Sequence, residues 1–173
     1  MGTFFLAGIY GVGKSTLGAK LSEETKLPFY SSGDLISQVN GETYGANKSV
    51  VDKDKNQDIL AARVRGLLGE TGSILLAGHF CIINRENEVE NLPASVFDKL
   101  DITKIILLEA DIDRIVAHLQ KRDSRRYSYE TIECLAKREH ELAELTASRL
   151  CCPLVIHQMC YSDSDVSSII KVL

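Results

Sequence analysis

A chain of 173 residues has material for one compact domain, or one domain with a small inserted flap, and no room for a multidomain machine. Its 20 Lys and Arg against 24 Asp and Glu, a formal charge of -4, create no global field to attract nucleic acid or anionic lipid, so any phosphate binding must be local. Hydrophobic residues at 45% and charged residues at 25% exclude bulk disorder and supply one core.

In chain order, Thr3-Phe4-Phe5-Leu6-Ala7 is apolar, β-favouring and followed at once by glycine. That predicts a central strand buried on both faces. Leu17 and Leu21 mark a first helix running to about residue 25, and Pro28-Phe29-Tyr30 a brief second strand. Ser31-Ser32-Gly33-Asp34 offers capping side chains for a short helix ending near Gly41. Residues 41–56 are polar without an apolar period and are expected to form a flap. Leu60, Val64, Leu67 and Leu68 stripe a helix closed by Gly69 and Gly72.

Ser73-Ile74-Leu75-Leu76-Ala77 and Lys104-Ile105-Ile106-Leu107-Leu108-Glu109 are further buried strands, separated by a loop and a helical turn after Pro93. Asp111 caps the next helix, with Lys121 and Arg122 suiting its C-terminal dipole. Ser128 caps a long helix to about Leu150 that Pro153 stops. A fifth strand at residues 153–157 precedes a final helix capped by Ser162 or Asp163. Alternating strands and helices predict a three-layer α/β fold, a mainly parallel five-stranded sheet with helices on both faces.

The longest apolar runs are strand-sized, well below the roughly 20 residues of a membrane span. Met1-Gly2-Thr3-Phe4 lacks the basic start of a signal peptide. The expectation is a cytoplasmic protein with no membrane partner. Five cysteines, Cys81, Cys134, Cys151, Cys152 and Cys160, are odd in number and lack C-x-x-C spacing, which predicts buried thiols and no zinc site. Lys48, Lys53 and Lys55 alternate with Asp52 and Asp54, so the flap reads as solvated rather than as a nucleic-acid surface.

Residues 8–15, Gly8-Ile9-Tyr10-Gly11-Val12-Gly13-Lys14-Ser15, fit the P-loop pattern G-x-x-x-x-G-K-[ST] between the predicted first strand and first helix. Gly8, Gly11 and Gly13 let the backbone N–H groups, including those at Val12, Ser15 and Thr16, turn toward phosphate oxygens at a helix N-terminus. Lys14 can bridge the β and γ phosphates and Ser15 can hold Mg2+. ATP binding with Mg2+ is therefore the primary expectation.

The order of segments resembles the P-loop nucleoside monophosphate kinases, most closely the archaeal-type adenylate kinases and their bacterial relatives. The resemblance covers nearly the whole chain, 1–173, as a single P-loop kinase-like domain. It rests on the P-loop, Tyr30-Ser31-Ser32-Gly33-Asp34-Leu35, Gly78-His79-Phe80, Asn91-Leu92-Pro93 and the Arg-rich segment after Leu119. It implies γ-phosphoryl transfer from Mg-ATP to a nucleotide acceptor under a closing basic lid at about residues 121–128. Lys14, Arg122, Arg126 and Asp34 are then the catalytic candidates. Arg122, Arg125 and Arg126 serve the lid, and Ser31, Ser32, Gly33, Asp34 and His79 the acceptor. His79 equally reads as a packed histidine, Asp34 as a helix-initiating acid, and Glu109 as a weaker candidate at a strand end.

The resemblance breaks at Ala77, where such kinases place a metal-holding aspartate, and at Ser37 and Cys81, where arginines are usual. A methyl group cannot bind a hard cation, so an ATP-binding regulator with slow hydrolysis stands as the alternative. A guanine-nucleotide switch is disfavoured because Asn47-Lys48-Ser49-Val50 lacks the base-reading aspartate. An AAA-type motor is disfavoured because the chain has no room for an added helical domain.

Overall fold

The computed structural model of the chain describes residues 1–40, 53–84, 86–122 and 127–173. Strands β1 (Gly2–Ala7), β2 (Phe29–Ser31), β3 (Ser73–Ala77), β6 (Ile102–Glu109) and β7 (Leu154–Gln158) form one sheet in the order β2-β3-β1-β6-β7. All four neighbouring pairs are parallel. The predicted five-stranded parallel sheet is thus present, with β1 at its centre. Between and after the strands run α1 (Lys14–Thr25), α2 (Ser32–Asn40), α3 (Lys53–Thr71), α4 (Ala94–Phe97), α5 (Ile112–Arg122), α6 (Tyr129–Leu150) and α7 (Asp163–Ile170).

Period-two alternation along each buried strand feeds two apolar clusters. Leu6, Leu75, Ile106 and Leu108 point to one cluster with Leu17, Leu21, Ile115, Leu119, Val166 and Ile169. Phe5, Ile74, Leu76, Ile105 and Leu107 point to the other, with Leu35, Leu60, Val64 and Phe97. Helices therefore cover both faces, as parallel strands require. Helix α6 serves both clusters: Ile132 and Leu135 join the first, Ala143 and Ala147 the second.

Helix ends follow the expected chemistry. Asp111 Oδ1 accepts from the backbone of Asp113 at 3.0 Å and Arg114 at 3.3 Å, and Ser128 Oγ accepts from Thr131 N–H at 3.1 Å. Ser162 is the N-cap of α7, its N–H donating to Asp165 Oδ2 at 3.0 Å.

Several expectations need correction. Helix α3 continues through Gly69 and ends at Thr71, and only Gly72, with φ +75°, closes it. The same helix begins at Lys53, four residues inside the expected flap; residues 41–52 lie outside the described residues. A short antiparallel hairpin, β4 (Cys81–Ile83) with β5 (Val89–Asn91), stands where a loop was expected. Of the five thiols only Cys81 is buried, while Cys134, Cys151 and Cys160 are exposed and Cys152 is half-buried. Cys134 lies on the solvent side of α6 and Cys151 just past its end, where no apolar partner covers them. Among the described residues no helix is long and apolar enough to cross a membrane.

Candidate functional site

The site candidates gather at the carboxyl ends of β1 and β3, where open α/β sheets bind ligands. The chain leaves β1 at Ala7 and enters α1 at Lys14, so residues 8–13 must reverse within one tight loop. Gly8 has φ +138°, and a Cβ there would stand 2.7 Å from the Leu108 carbonyl oxygen. Gly13, with φ +102°, is the N-cap of α1 and supplies no side-chain cap, which leaves the first N–H groups of the helix to a ligand. Val12 is wholly buried and contributes only backbone, whereas Ser15 and Thr16 are exposed in the first turn. The Lys14 ammonium donates to the carbonyls of Gly8 at 2.6 Å and Ile9 at 2.9 Å.

His79 joins this group. Its Nδ1 lies 3.5 Å from Lys14 Nζ, and its ring packs on Tyr10 with centroids 4.5 Å apart. Burial pushes the Tyr10 phenol well above its usual range. Ser31 pairs in register with Ala77, and Ser32 Oγ donates to the Ala77 carbonyl at 2.9 Å. Ser32 thus ties α2 to the end of β3 instead of capping α2 as expected. Gly33 accepts from Ser37 Oγ at 2.8 Å, and Asp34 is exposed in the first turn of α2, where a carboxylate suits the dipole.

The Ala77 methyl is packed into the first apolar cluster, so no carboxylate is presented from the end of β3. Among the described residues no three His, Cys, Asp or Glu side chains group as a metal site. The Ser15 hydroxyl, exposed in the first turn of α1, is of the oxygen-donor kind that Mg2+ takes beside phosphates and water. Arg122 is exposed at the last turn of α5; Arg125 and Arg126 lie outside the described residues. Glu109, at the end of β6, accepts from His140 Nδ1 at 2.6 Å, and this bond raises the imidazole above its ordinary value.

Two groups escaped the sequence reading. Glu139 of α6 is 1% exposed, and its carboxylate accepts from the N–H groups of Gly8, Phe80 and Cys81 at 3.0, 2.8 and 3.0 Å. Its signal was the spacing Leu135, Glu139, Ala143, which puts an acid on the buried stripe of the helix. Beside Gly13, Arg114 lies over the Tyr161 ring at 5.6 Å, and His118 meets that ring edge-on at 4.8 Å while bonding to the Gly11 carbonyl at 3.2 Å. Arg114 and His118 share a face of α5 at i and i+4, but no spacing rule links them to Tyr161, which the β7–α7 turn brings to them.

The family described as AAA domain (AAA_17) matches residues 7–136. Shikimate kinase 1 of Citrobacter koseri is 27% identical over 147 residues, 81% of this chain and 80% of that protein. Among solved structures, a shikimate kinase from Acinetobacter baumannii in complex with shikimate superposes with a TM-score of 0.62 at 14% identity, covering 99% of this chain and 92% of that one. A gluconokinase from Sinorhizobium meliloti gives 0.52 at 12% identity, covering 98% and 87%. The fold is that of the P-loop kinases. These relatives do not support the specific adenylate kinase relation; the P-loop and the order of segments around it did not separate the kinases from one another. The AAA label, set aside at the sequence level for a motor, here marks family and not size: with three quarters of its length matched, this chain belongs to the AAA domain family AAA_17.

Proposed function

We propose that the protein is a phosphotransferase that moves the γ-phosphoryl group of Mg-ATP to a small acceptor. The observation that carries this reading is Lys14, held at the mouth of the glycine loop with His79 3.5 Å away, the donor-side cation and an acceptor-side group meeting at one point. Transfer of this kind needs little covalent help from protein and depends on positioning and charge neutralisation. The loop N–H groups and the start of α1 bind the phosphates, and Lys14 spans the β and γ positions. Ser15 offers its hydroxyl to the Mg2+ that accompanies ATP. Arg122, with Arg125 and Arg126 of the lid segment, offsets charge developing on the transferred group. Asp34 takes the proton of the acceptor, and Ser31, Ser32, Gly33 and His79 line its side. Arg114, His118 and Tyr161 form a cationic and aromatic corner beside the loop, the two rings nearly perpendicular, that suits a nucleobase.

The acceptor class is open to two chemistries: a nucleoside monophosphate, implied by the sequence resemblance, and a hydroxyl-bearing acid, suggested by the relatives named shikimate kinase and gluconokinase. Free thiols throughout fit a reducing cytoplasm. Ala77 favours one second reading, an ATP-binding regulator whose transfer is weak. Incubation with γ-labelled ATP, Mg2+ and a panel of nucleoside monophosphates, nucleosides, shikimate and gluconate tests the proposal. Label on one acceptor is the expected result. Label released only as phosphate would overturn it in favour of the regulator.

A further inference from the structure

Glu139 sits where α6 passes from one apolar cluster to the other, and its carboxylate has no access to solvent. Oε1 accepts from Gly8 N–H, and Oε2 from Phe80 N–H, Cys81 N–H and, at 3.4 Å, the Cys81 thiol. Each of these partners donates, an arrangement that fits the ionised carboxylate, which has no proton to place. Burial pushes its carboxyl above the usual range, against the Lys14 charge and the two N–H groups of Phe80 and Cys81. The family match ends at residue 136, so Glu139 lies beyond the part of the chain that the family describes.

The contacts close into a circuit. Glu139 holds the N–H of Gly8, and Lys14 holds the carbonyl of the same residue. Lys14 then meets His79, and the next residue, Phe80, returns to Glu139. One buried acid thereby fixes both the entry of the glycine loop, whose Gly8 and Ile9 carbonyls receive the ammonium, and the turn after β3, which carries the His79 imidazole to it. A buried charge with this many partners is costly to remove, because the donors it satisfies are then left unpaired.

We infer that Glu139 is the positioning residue of Lys14: through Gly8 and the His79-Phe80 turn it holds the ammonium where ATP phosphates are received. The phosphate part of this inference rests on the proposed function, whereas the hold on Lys14 does not. The test compares wild type with Glu139→Gln, which preserves size but sets an amide N–H2 against N–H donors. Without nucleotide, acylation of Lys14 by a succinimidyl ester, mapped by peptide mass spectrometry, is expected to rise about tenfold, the scale of one lost charged hydrogen bond. The dissociation constant for Mg-ATP, from calorimetry, is expected to rise by a similar factor in the wild-type background. In a Lys14→Met background that rise is expected to vanish, as two residues acting through one another require.

A Gln variant that is less stable yet shows wild-type acylation of Lys14 would overturn the inference and leave Glu139 a structural pin. An equal loss of affinity in the Lys14→Met background would overturn it as well. Wild-type protein unable to bind Mg-ATP would instead remove the proposed function, and the acylation rate would still decide the role of Glu139. Should Glu139→Gln fail to fold, Glu139→Met, similar in length and without a donor, carries the same measurements.

Discussion

On the phosphate side, Lys14 finds its carbonyl partners only six and five positions away, at Gly8 and Ile9. On the side beyond β3 the equivalent contacts span the chain: Ser32 reaches Ala77 across 45 positions, and Glu139 reaches Phe80 across 59. The first side draws its phosphate-facing groups from eight consecutive residues and has one long-range tie at its entry, Gly8 to Glu139 across 131 positions, whereas the second exists only once α2, α6 and the sheet have packed. The sequence resemblance to nucleoside monophosphate kinases accordingly rests on the loop, which P-loop kinases share, and breaks at Ala77, and the relatives do not support its adenylate kinase part.

The sharpest way to break the comparison is at Lys14. Lys14→Ala removes the donor-side cation without disturbing long-range packing, and phosphoryl transfer is expected to fall by at least about a hundredfold, the usual scale for one electrostatic group at a reacting phosphate. Steady-state assays would show it, with the melting temperature little changed.

On the assembled side the expected loss is in stability instead. Phe80 is 1% exposed and packs against Phe5 and Phe97 with centroids 5.3 and 4.8 Å away. Phe80→Ala is expected to cost about 3–5 kcal/mol, transfer and cavity terms together, read from urea denaturation. A loss below about 1 kcal/mol would mean that this wall collapses freely onto the gap.

A smaller effect is expected at Asp165, 2% exposed, which accepts from His157, Cys160 N–H and Ser162 N–H at 2.8, 3.0 and 3.0 Å. Burial raises its carboxyl, but these donors outweigh burial and hold it below the ordinary carboxylate value. Its stabilisation is therefore complete above the unfolded value and is lost as pH falls through the lowered folded one. Asp165→Asn should cost about 1–3 kcal/mol at neutral pH, with the difference from wild type shrinking in acid, as pH-dependent denaturation would show.

The smallest is at Glu109 and His140, both about one-third exposed. His140 is raised by its bond to Glu109, so its contribution is present below the ordinary imidazole value of about 6.5 and is lost as pH rises through the folded value. Glu109→Gln should return the imidazole toward that ordinary value in an NMR titration and change stability by no more than about 0.5 kcal/mol, given the exposure.

Legibility in the sequence follows the same division. The five sheet strands were readable because each is a short apolar run, four of them beside glycine or proline and β6 between aspartates, and Asp111, Ser128 and Ser162 were readable as caps because capping chemistry acts within three residues. The β4–β5 hairpin was not, since three residue pairs carry too little alternation to register as strands. Gly69 misled because a helix with enough tertiary support tolerates a glycine in its last turns. The thiols misled because the burial preference of cysteine is an average, and Cys134, Cys151 and Cys160 fall on solvent-facing positions. In the candidate site, residues 8–15 were legible as a glycine loop leading from the first strand into the first helix. Glu139 left only an acid on an apolar stripe, and its meaning depends on Gly8 lying 131 positions away.

The central claim, that residues 8–15 receive the phosphates of ATP, is tested most directly by calorimetric titration of Mg-ATP into wild-type protein and a folded Lys14→Ala variant. Saturable one-site binding in the wild type, weakened at least about tenfold in the variant by loss of a charged contact, is the predicted result. Equal affinity in the two proteins would contradict the account and place ATP elsewhere.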